Sequence, residues 1–337
     1  MIVLGIETSC DETSVAVVDN GAVRSNIISS QFVHARYGGV VPELASRAHQ
    51  RLIIQVTDES LRGAGIRKQD VGGIAATYGP GLAGALLVGL NFAKALAFGL
   101  QVPFIAVNHM EGHLYSNFLG DKKPSFPFLA LIVSGGHTML VLVEAPFQHR
   151  LLGQTRDDAA GEAFDKVARM LGLGYPGGPA IDRMAATGDP HAIEFPRSFL
   201  EEGTHDFSFS GIKTSVLYYL RRQGLVNNDA SGLDSRHLAD ICASFQMAVV
   251  DVLVTKTINA AREFGITDVT LAGGVSANSL LRRRMTDEAA RNGCRLFAPS
   301  MEYCMDNGAM IGYVGWMRLQ RGETSGFEAS AVASLSL

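Results

Sequence analysis

Cysteine is scarce: the four in 337 residues (Cys10, Cys242, Cys294 and Cys304) are widely spread and form no C-x-x-C pair. That argues against a disulfide framework and for reduced thiols in a cytoplasmic protein. An excess of one charge sign is lacking as well. Lys+Arg number 29 against 33 Asp+Glu, a net charge of −4, and the densest basic cluster is Arg282-Arg283-Arg284. A solvated helix face is the expected setting for that triplet, and composition by itself predicts no RNA binding. No uninterrupted apolar run of bilayer length occurs. The most apolar stretch, 81–100, follows Pro80 and contains Asn91 and Lys94, whereas a span needs about 20 apolar residues without a central charge. A buried helix is expected there, with no membrane partner. No charged n-region precedes an apolar core near residue 1, so no signal peptide is expected.

What is present is core-forming material and glycine. Hydrophobic residues make up 47% and charged residues 18%, enough for one large domain or two of ordinary size. The 37 glycines exceed the usual share of about 7%. They cluster where strands end and helices start, as expected where backbone approaches a phosphate. The pattern predicts strand 2–6, a polar turn, returning strand 14–18, helix 46–62, strand 73–77, a glycine turn, helix 85–98, and strand 104–107 running into a helix at His109. A second series follows: strand 128–133, turn 134–138, strand 139–143, helix 236–264, strand 269–272, turn 273–277, helix 278–291, strand 295–298 and a closing helix 307–319. Hairpin, helix, strand and glycine turn thus occur twice, the sign of an internal duplication. The expected organisation is an N-terminal α/β lobe over 1–125, a C-terminal α/β lobe over 126–325 with a cleft-lining insertion at about 150–230, and a tail over 326–337. Two such halves are expected to put their glycine turns at a shared ligand cleft.

His109-Met-Glu-Gly-His113 is the most pointed motif. Residues i and i+4 of a helix share a face, with Cβ atoms about 6 Å apart, so two imidazoles there can grip one divalent metal. The zinc-protease signature H-E-x-x-H places its general base directly after the first histidine. Glu111 instead stands roughly 200° around the helix from His109 and is expected to point away from a metal. On these residues alone the pair is either packed histidines or two ligands of a site whose third comes from elsewhere. Ser134-Gly-Gly-His-Thr138, with Thr8-Ser9 in the first half and Gly273-Gly274 before a helix, suggests amides that cradle phosphate oxygens. Asn278 either caps its helix or hydrogen-bonds a purine edge or ribose. Cys10 has no evident base in sequence and reads as small turn filler rather than a nucleophile.

Nine ordered motifs carry a resemblance. Gly5-Ile-Glu-Thr-Ser-Cys-Asp-Glu-Thr13, Gly38-Gly-Val-Val-Pro-Glu-Leu-Ala-Ser-Arg47, His109-Met-Glu-Gly-His113 and Val133-Ser-Gly-Gly-His-Thr138 come first. Asp158-Ala-Ala-Gly-Glu-Ala-Phe-Asp-Lys166, Tyr175-Pro-Gly-Gly-Pro179, Phe207-Ser-Phe-Ser-Gly-Ile-Lys213, Ala272-Gly-Gly-Val-Ser-Ala-Asn278 and Asp306-Asn-Gly-Ala-Met310 follow. Together they resemble the bacterial TsaD family, formerly Gcp or the O-sialoglycoprotein endopeptidase family. Only the segment around 225–235 and the stretch after Gly322 lack such motifs.

The resemblance implies the duplicated α/β fold of actin, Hsp70 and the sugar kinases, two lobes around a central nucleotide cleft. It implies transfer of the threonylcarbamoyl group from threonylcarbamoyl-AMP to N6 of adenosine 37 in tRNAs reading codons that begin with A. His109, His113 and Asp306 become ligands of one Fe(II), with zinc also accommodated by two imidazoles and a carboxylate. Asp306 is expected to serve as N-cap of the last helix as well. Contacts to the adenylate, in a cleft that ATP or ADP can also occupy, fall on Ile132, Val133, Ser134, Gly135, Gly136, Asp165, Gly178, Asp182 and Asn278. Asp165 and Asp182 are expected to accept from ribose hydroxyls. His137, Asp11 and Glu12 are assigned to the reacting end, with Asp11 positioning or deprotonating the amine. Implied partners are tRNA, a TsaB-like paralogue at the N-terminal lobe, a TsaE-like ATPase and a TsaC-like enzyme supplying the adenylate. A metallopeptidase and a small-molecule kinase of the same fold are the alternatives.

Overall fold

Val3, Leu4 and Ile6 of strand β1 (Ile2–Glu7) are all buried, although they point alternately to opposite faces, so this strand needs cover on both sides. The computed structural model describes residues 1–199, 203–224 and 234–337 and shows where that cover comes from. β1 is the middle of a five-stranded sheet with β2 (Glu12–Asp19), β3 (Ala22–Ser30), β4 (Gly73–Gly79) and β5 (Phe104–Asn108), in the order β3-β2-β1-β4-β5. β1, β2 and β3 form an antiparallel meander, while β4 and β5 run parallel to β1. Helices α1 (Pro42–Gly63) and α2 (Ala83–Leu100) connect these strands. Leu4 and Ile6 share a core with Ile53 and Val56 of α1 and with Leu90, Ala93 and Ala97 of α2. α1 begins four residues before the expected start because Pro42, whose ring presets a helical φ, opens it. β5 feeds directly into the short helix α3 (His109–Tyr115).

A second sheet repeats the first. It contains β6 (Phe128–Val133), β7 (Thr138–Ala145) and β8 (Gln148–Gln154), then β9 (Asp268–Ala272) and β10 (Arg295–Phe297), in the order β8-β7-β6-β9-β10. Again three strands form an antiparallel meander and two run parallel to the central one. Helices α4 (Ala160–Met170), α5 (Gly177–Ala185), α6 (Ser210–Arg222), α7 (Ser235–Glu263) and α8 (Ser279–Arg291) accompany it. Leu129, Leu131 and Val133 share a core with Phe164 and Val167 of α4 and Phe245, Val249 and Leu253 of α7. Both α2 and α7 are long and apolar enough to cross a membrane by length and composition alone. α7 is instead buried along most of its length, whereas α2 buries one face and leaves Leu87 and Phe98 exposed.

The chain then returns to the first sheet through α9 (Met301–Cys304) and α10 (Gly308–Gln320). α10 packs on the face of β1 opposite α1 and α2, with the Gly308 and Gly312 backbone directly against Gly5. Beyond it Ser325 N donates to Phe104 O (2.8 Å), Val332 N to Tyr78 O (2.8 Å) and Gly81 N to Ala333 O (3.1 Å). The chain accordingly divides into one unit of Met1–Asp121 with Ser300–Leu337 and another of Lys122–Pro299. This corrects the expected boundaries, which gave the closing helix to the second half and treated 326–337 as a tail. Hydrophobic periodicity marks a helix but does not say which sheet it covers.

The outer strands β3 and β8 are further differences. Both are edge strands, half-exposed and rich in polar residues, so neither carries the apolar signal that betrays a central strand. Of the expected insertion, residues 200–202 and 225–230 lie outside the described residues, and the rest holds α4, α5 and α6.

Candidate functional site

β5 ends on Asn108, whose side chain caps α3 by accepting from Met110 N (2.8 Å). The next two turns carry His109 and His113, their rings 4.7 Å apart between centroids and nearly perpendicular. Asp306 arrives from the connection between α9 and α10. Its Oδ1 lies 3.4 Å from His109 Nε2 and 3.1 Å from His113 Nε2. One ligand atom from each residue falls within 4.8 Å of the others. Contrary to expectation, Asp306 is not the cap of the last helix. Asn307 caps α10 by accepting from Met310 N (3.0 Å), leaving the Asp306 carboxylate to the imidazoles. Glu111 is buried away from this group, its two oxygens accepting from Arg318 Nη2 at 2.7 and 2.8 Å.

Glu7, at the end of β1, is the residue that sequence reasoning missed. It is fully buried, and its Oε2 lies 3.0 Å from His109 Nδ1. An acid closing an otherwise apolar central strand was the available signal, since a buried carboxylate demands partners. Burial would raise the Glu7 carboxyl, but the His109 imidazole outweighs it and holds it below the ordinary range. Asp306 behaves likewise, burial opposed first by His109 and then by His113. For His109 itself burial is a downward push that Asp306 and Glu7 overcome, holding it well above the usual imidazole range. The cluster therefore strongly favours positive charge beside the imidazoles, and two imidazole nitrogens with a carboxylate oxygen suit iron(II) or zinc. The residues present fit a divalent metal.

The turn between β1 and β2 supplies Asp11 and Glu12 to the same acidic neighbourhood. Burial, then Asp306 and Asp11, push Glu12 well above the usual carboxylate range. Burial first, and then Asp11, also raise the Cys10 thiol, which removes it as a thiolate nucleophile. Thr8 and Ser9 do not form a phosphate cradle. Thr8 is buried and donates to Ala85 O (2.9 Å), and Ser9 Oγ lies 3.3 Å from His109 Nδ1.

The expected adenylate residues all belong to the second unit, where the parallel strands β6 and β9 end side by side. The turn after β6 is closed by Ser134 N donating to His137 O (2.8 Å) and His137 N to Ser134 Oγ (3.1 Å). Gly161 N donates to Ser134 O (3.2 Å), bringing the start of α4 against this turn. Asp165 on α4 accepts from Gly177 N (2.7 Å) at the start of α5. Asp182 on α5 accepts from Ser279 N (3.1 Å) and Ser279 Oγ (2.7 Å) at the start of α8. Asn278 caps α8 by accepting from Leu281 N (2.9 Å), while its Nδ2 donates to Gln246 Oε1 (2.8 Å). The three polar side chains thus pin helix N-termini first, each oxygen keeping a second lone pair. The side chains of Ile132 and Val133 are buried, which leaves only their backbone to a ligand.

Glycine supplies the sharper sign. At Gly273, with φ +84°, a Cβ would lie 2.5 Å from Val133 O, so packing and backbone both demand glycine. At Gly135, Gly136, Gly178 and Gly274 a Cβ would meet nothing within 4 Å, and none has a left-handed φ. Neither strain nor a neighbour requires glycine there, as is also true of Gly99, Gly120 and Gly211, and open backbone of this kind can admit a ligand. Apart from Asp165, the charged side chains of the motifs at 158–166 and 207–213 are tied into the fold. Asp158 pairs with Lys166 (2.8 Å) and Lys213 (2.7 Å), and Asp157 accepts from Ser208 Oγ (2.6 Å) and Phe209 N (2.9 Å).

A family model described as TsaD, tRNA N6-adenosine threonylcarbamoyltransferase, matches residues 22–313. A tRNA N6-adenosine threonylcarbamoyltransferase of Salinibacter ruber is 57% identical over 326 residues, covering 96% of each chain. That of Clostridioides difficile is 50% identical over 339 residues, covering 100% of this chain and 98% of its own. Among solved structures, full-length HypF in its phosphate- and nucleotide-bound form superposes with a TM-score of 0.61 at 15% identity. The match covers 96% of this chain and 47% of HypF, so the chain spans about half of HypF's length. The activator of 2-hydroxyisocaproyl-CoA dehydratase from Clostridium difficile, with bound ADPNP, superposes with a TM-score of 0.55 at 11% identity, covering 97% and 99%. With the repeated strand order, these likenesses bear out the expected fold class of actin, Hsp70 and the sugar kinases.

Proposed function

The chain belongs to the tRNA N6-adenosine threonylcarbamoyltransferase family, and on that footing we propose how its own residues carry the reaction. It transfers the threonylcarbamoyl group of threonylcarbamoyl-AMP to N6 of adenosine 37 in tRNAs that read codons beginning with A. The observation that carries this reading is the His109–His113–Asp306 group, since a scaffold subunit would not need three ligand atoms within 4.8 Å of one another. A metallopeptidase would need Glu111 beside the metal, and Arg318 holds it elsewhere. No observation favours a kinase.

In the second unit, the backbone amides of Ser134, Gly135 and Gly136 and the open positions at Gly178 and Gly274 bind the AMP portion, with Asp165, Asp182 and Asn278 lining it. ATP or ADP takes the same place. Charge that develops on departing AMP is met by amides already aimed at it. In the first unit, His109, His113 and Asp306 hold a divalent metal, iron(II) in preference to zinc. When bound, it would supply Lewis acidity. The N6 lone pair forms the new bond to the carbamoyl carbon as the bond to the phosphate oxygen breaks. Asp11 positions the amine and accepts the proton from N6, while Glu12 and His137 face the reacting end. A TsaB-like paralogue at the first unit, a TsaE-like ATPase and a TsaC-like source of adenylate complete a cytoplasmic system.

Depleting the protein from cells is expected to remove threonylcarbamoyladenosine from tRNA, read by mass spectrometry of the nucleosides. Undiminished modification, with no second enzyme to supply it, sinks the transferase reading. Asn278→Ala is expected to weaken adenylate or ATP binding roughly ten- to hundredfold, the cost of one buried hydrogen bond, without loss of metal. Calorimetry showing unchanged nucleotide affinity would reduce Asn278 to a helix cap.

A further inference from the structure

Glu7 meets two directed donors and one imidazole. Ser9 N–H donates to its Oε1, while Thr77 Oγ1–H and the ring of His109 at Nδ1 meet its Oε2. The group is fully buried, so no water competes for these bonds. A carboxylate is acceptor-only, so a histidine hydrogen-bonded to it must present its Nδ1 as N–H. That makes Nε2, which is turned toward Asp306, the nitrogen left to a metal. His113 lacks such a guide: it is fully buried, and its Nδ1 has no partner among the described residues.

We propose that Glu7 is a positioning residue for the metal, fixing the tautomer and rotation of His109 so that Nε2 is the ligand atom. The inference rests on the metal reading above. A carboxylate behind a ligating imidazole both orients the ring and raises its basicity, and removing such a partner costs about 10- to 100-fold in metal affinity. A glutamine at this position cannot substitute. If its oxygen serves Thr77 and His109, its NH₂ faces Ser9 N–H, and the reverse orientation sets NH₂ against the imidazole N–H.

The test uses zinc as the probe, added to the full chain after chelation, with affinity read by competition against a chromophoric chelator. Glu7→Gln is expected to bind zinc 10- to 100-fold more weakly. Glu111→Gln, which removes a buried carboxylate from the same helix but not from the metal group, is expected to bind as the wild type does. ¹⁵N spectra of the zinc-loaded wild type, which need no variant, are expected to show His109 protonated at Nδ1 and metallated at Nε2. Zinc on Nδ1 of His109, or wild-type affinity in a folded Glu7→Gln, overturns the role of Glu7 alone. A wild type that takes up neither zinc nor iron overturns the metal reading and this inference with it.

Discussion

Replacing His113 by alanine is expected to strip the protein of metal and to lower threonylcarbamoyl transfer by more than about 100-fold, the upper range for losing a mere supporting residue of a metal site. His113 is fully buried and contributes one of three ligand atoms that lie within 4.8 Å of one another. With it gone, His109 and Asp306 remain as a pair 3.4 Å apart, too few ligands to fix a coordination geometry. Nucleotide affinity is expected to hold, because all nine adenylate candidates belong to the other unit. Elemental analysis, circular dichroism and a single-turnover transfer assay separate loss of metal from loss of fold. Full transfer by a metal-free His109→Ala/His113→Ala protein would remove the metal from the mechanism.

A single methyl group at Gly5 is expected to be as damaging to stability as the loss of His113 is to chemistry. A Cβ there would lie 2.2 Å from Gly308 O and 2.3 Å from Gly312 N, both backbone atoms of α10. Flexible side chains can rotate away from an intruder, but the atoms of α10 nearest a Cβ at Gly5 are all main chain. Overpacking a core costs about 1–3 kcal/mol when side chains can adjust, and more when they cannot. Gly5→Ala is therefore expected to lose at least about 3 kcal/mol, read from the denaturation midpoint. Metal affinity should fall with it, since α10 begins two residues after Asp306. A Gly5→Ala protein with unchanged midpoint would mean that the approach of α10 to β1 is looser than its backbone contacts imply.

Much of this was legible in the chain because the informative signals are local. His109 and His113 stand one helical turn apart, and the two central hairpins and their glycine turns announce themselves through apolar strands broken by glycine. What stayed hidden depends on neighbours distant in sequence. Glu7 and His109 meet because β4 separates their strands in one sheet, a pairing no spacing rule encodes. Asp306 and Asn307 are adjacent short polar residues before a helix, and either is a credible cap. Only the arrival of two imidazoles beside Asp306 assigns the roles. Thr8 looked like a phosphate ligand because hydroxyl-rich turns often are, whereas the close approach of Gly89 on α2 turns it into a packing residue.

The third metal ligand reaches its partners late. Asp306 follows His113 by 193 residues, and between them lies the whole of the second unit. At a synthesis rate of about 5–20 residues per second, a growing chain carries two histidines without their carboxylate for roughly 10–40 s. For that interval β1 also lacks α10, the cover for one of its faces. Chains interrupted anywhere in the second unit hold the five strands of the first sheet without the α10 cover and two histidines without Asp306, so any metal that needs all three ligands loads only on polypeptides translated nearly to the end.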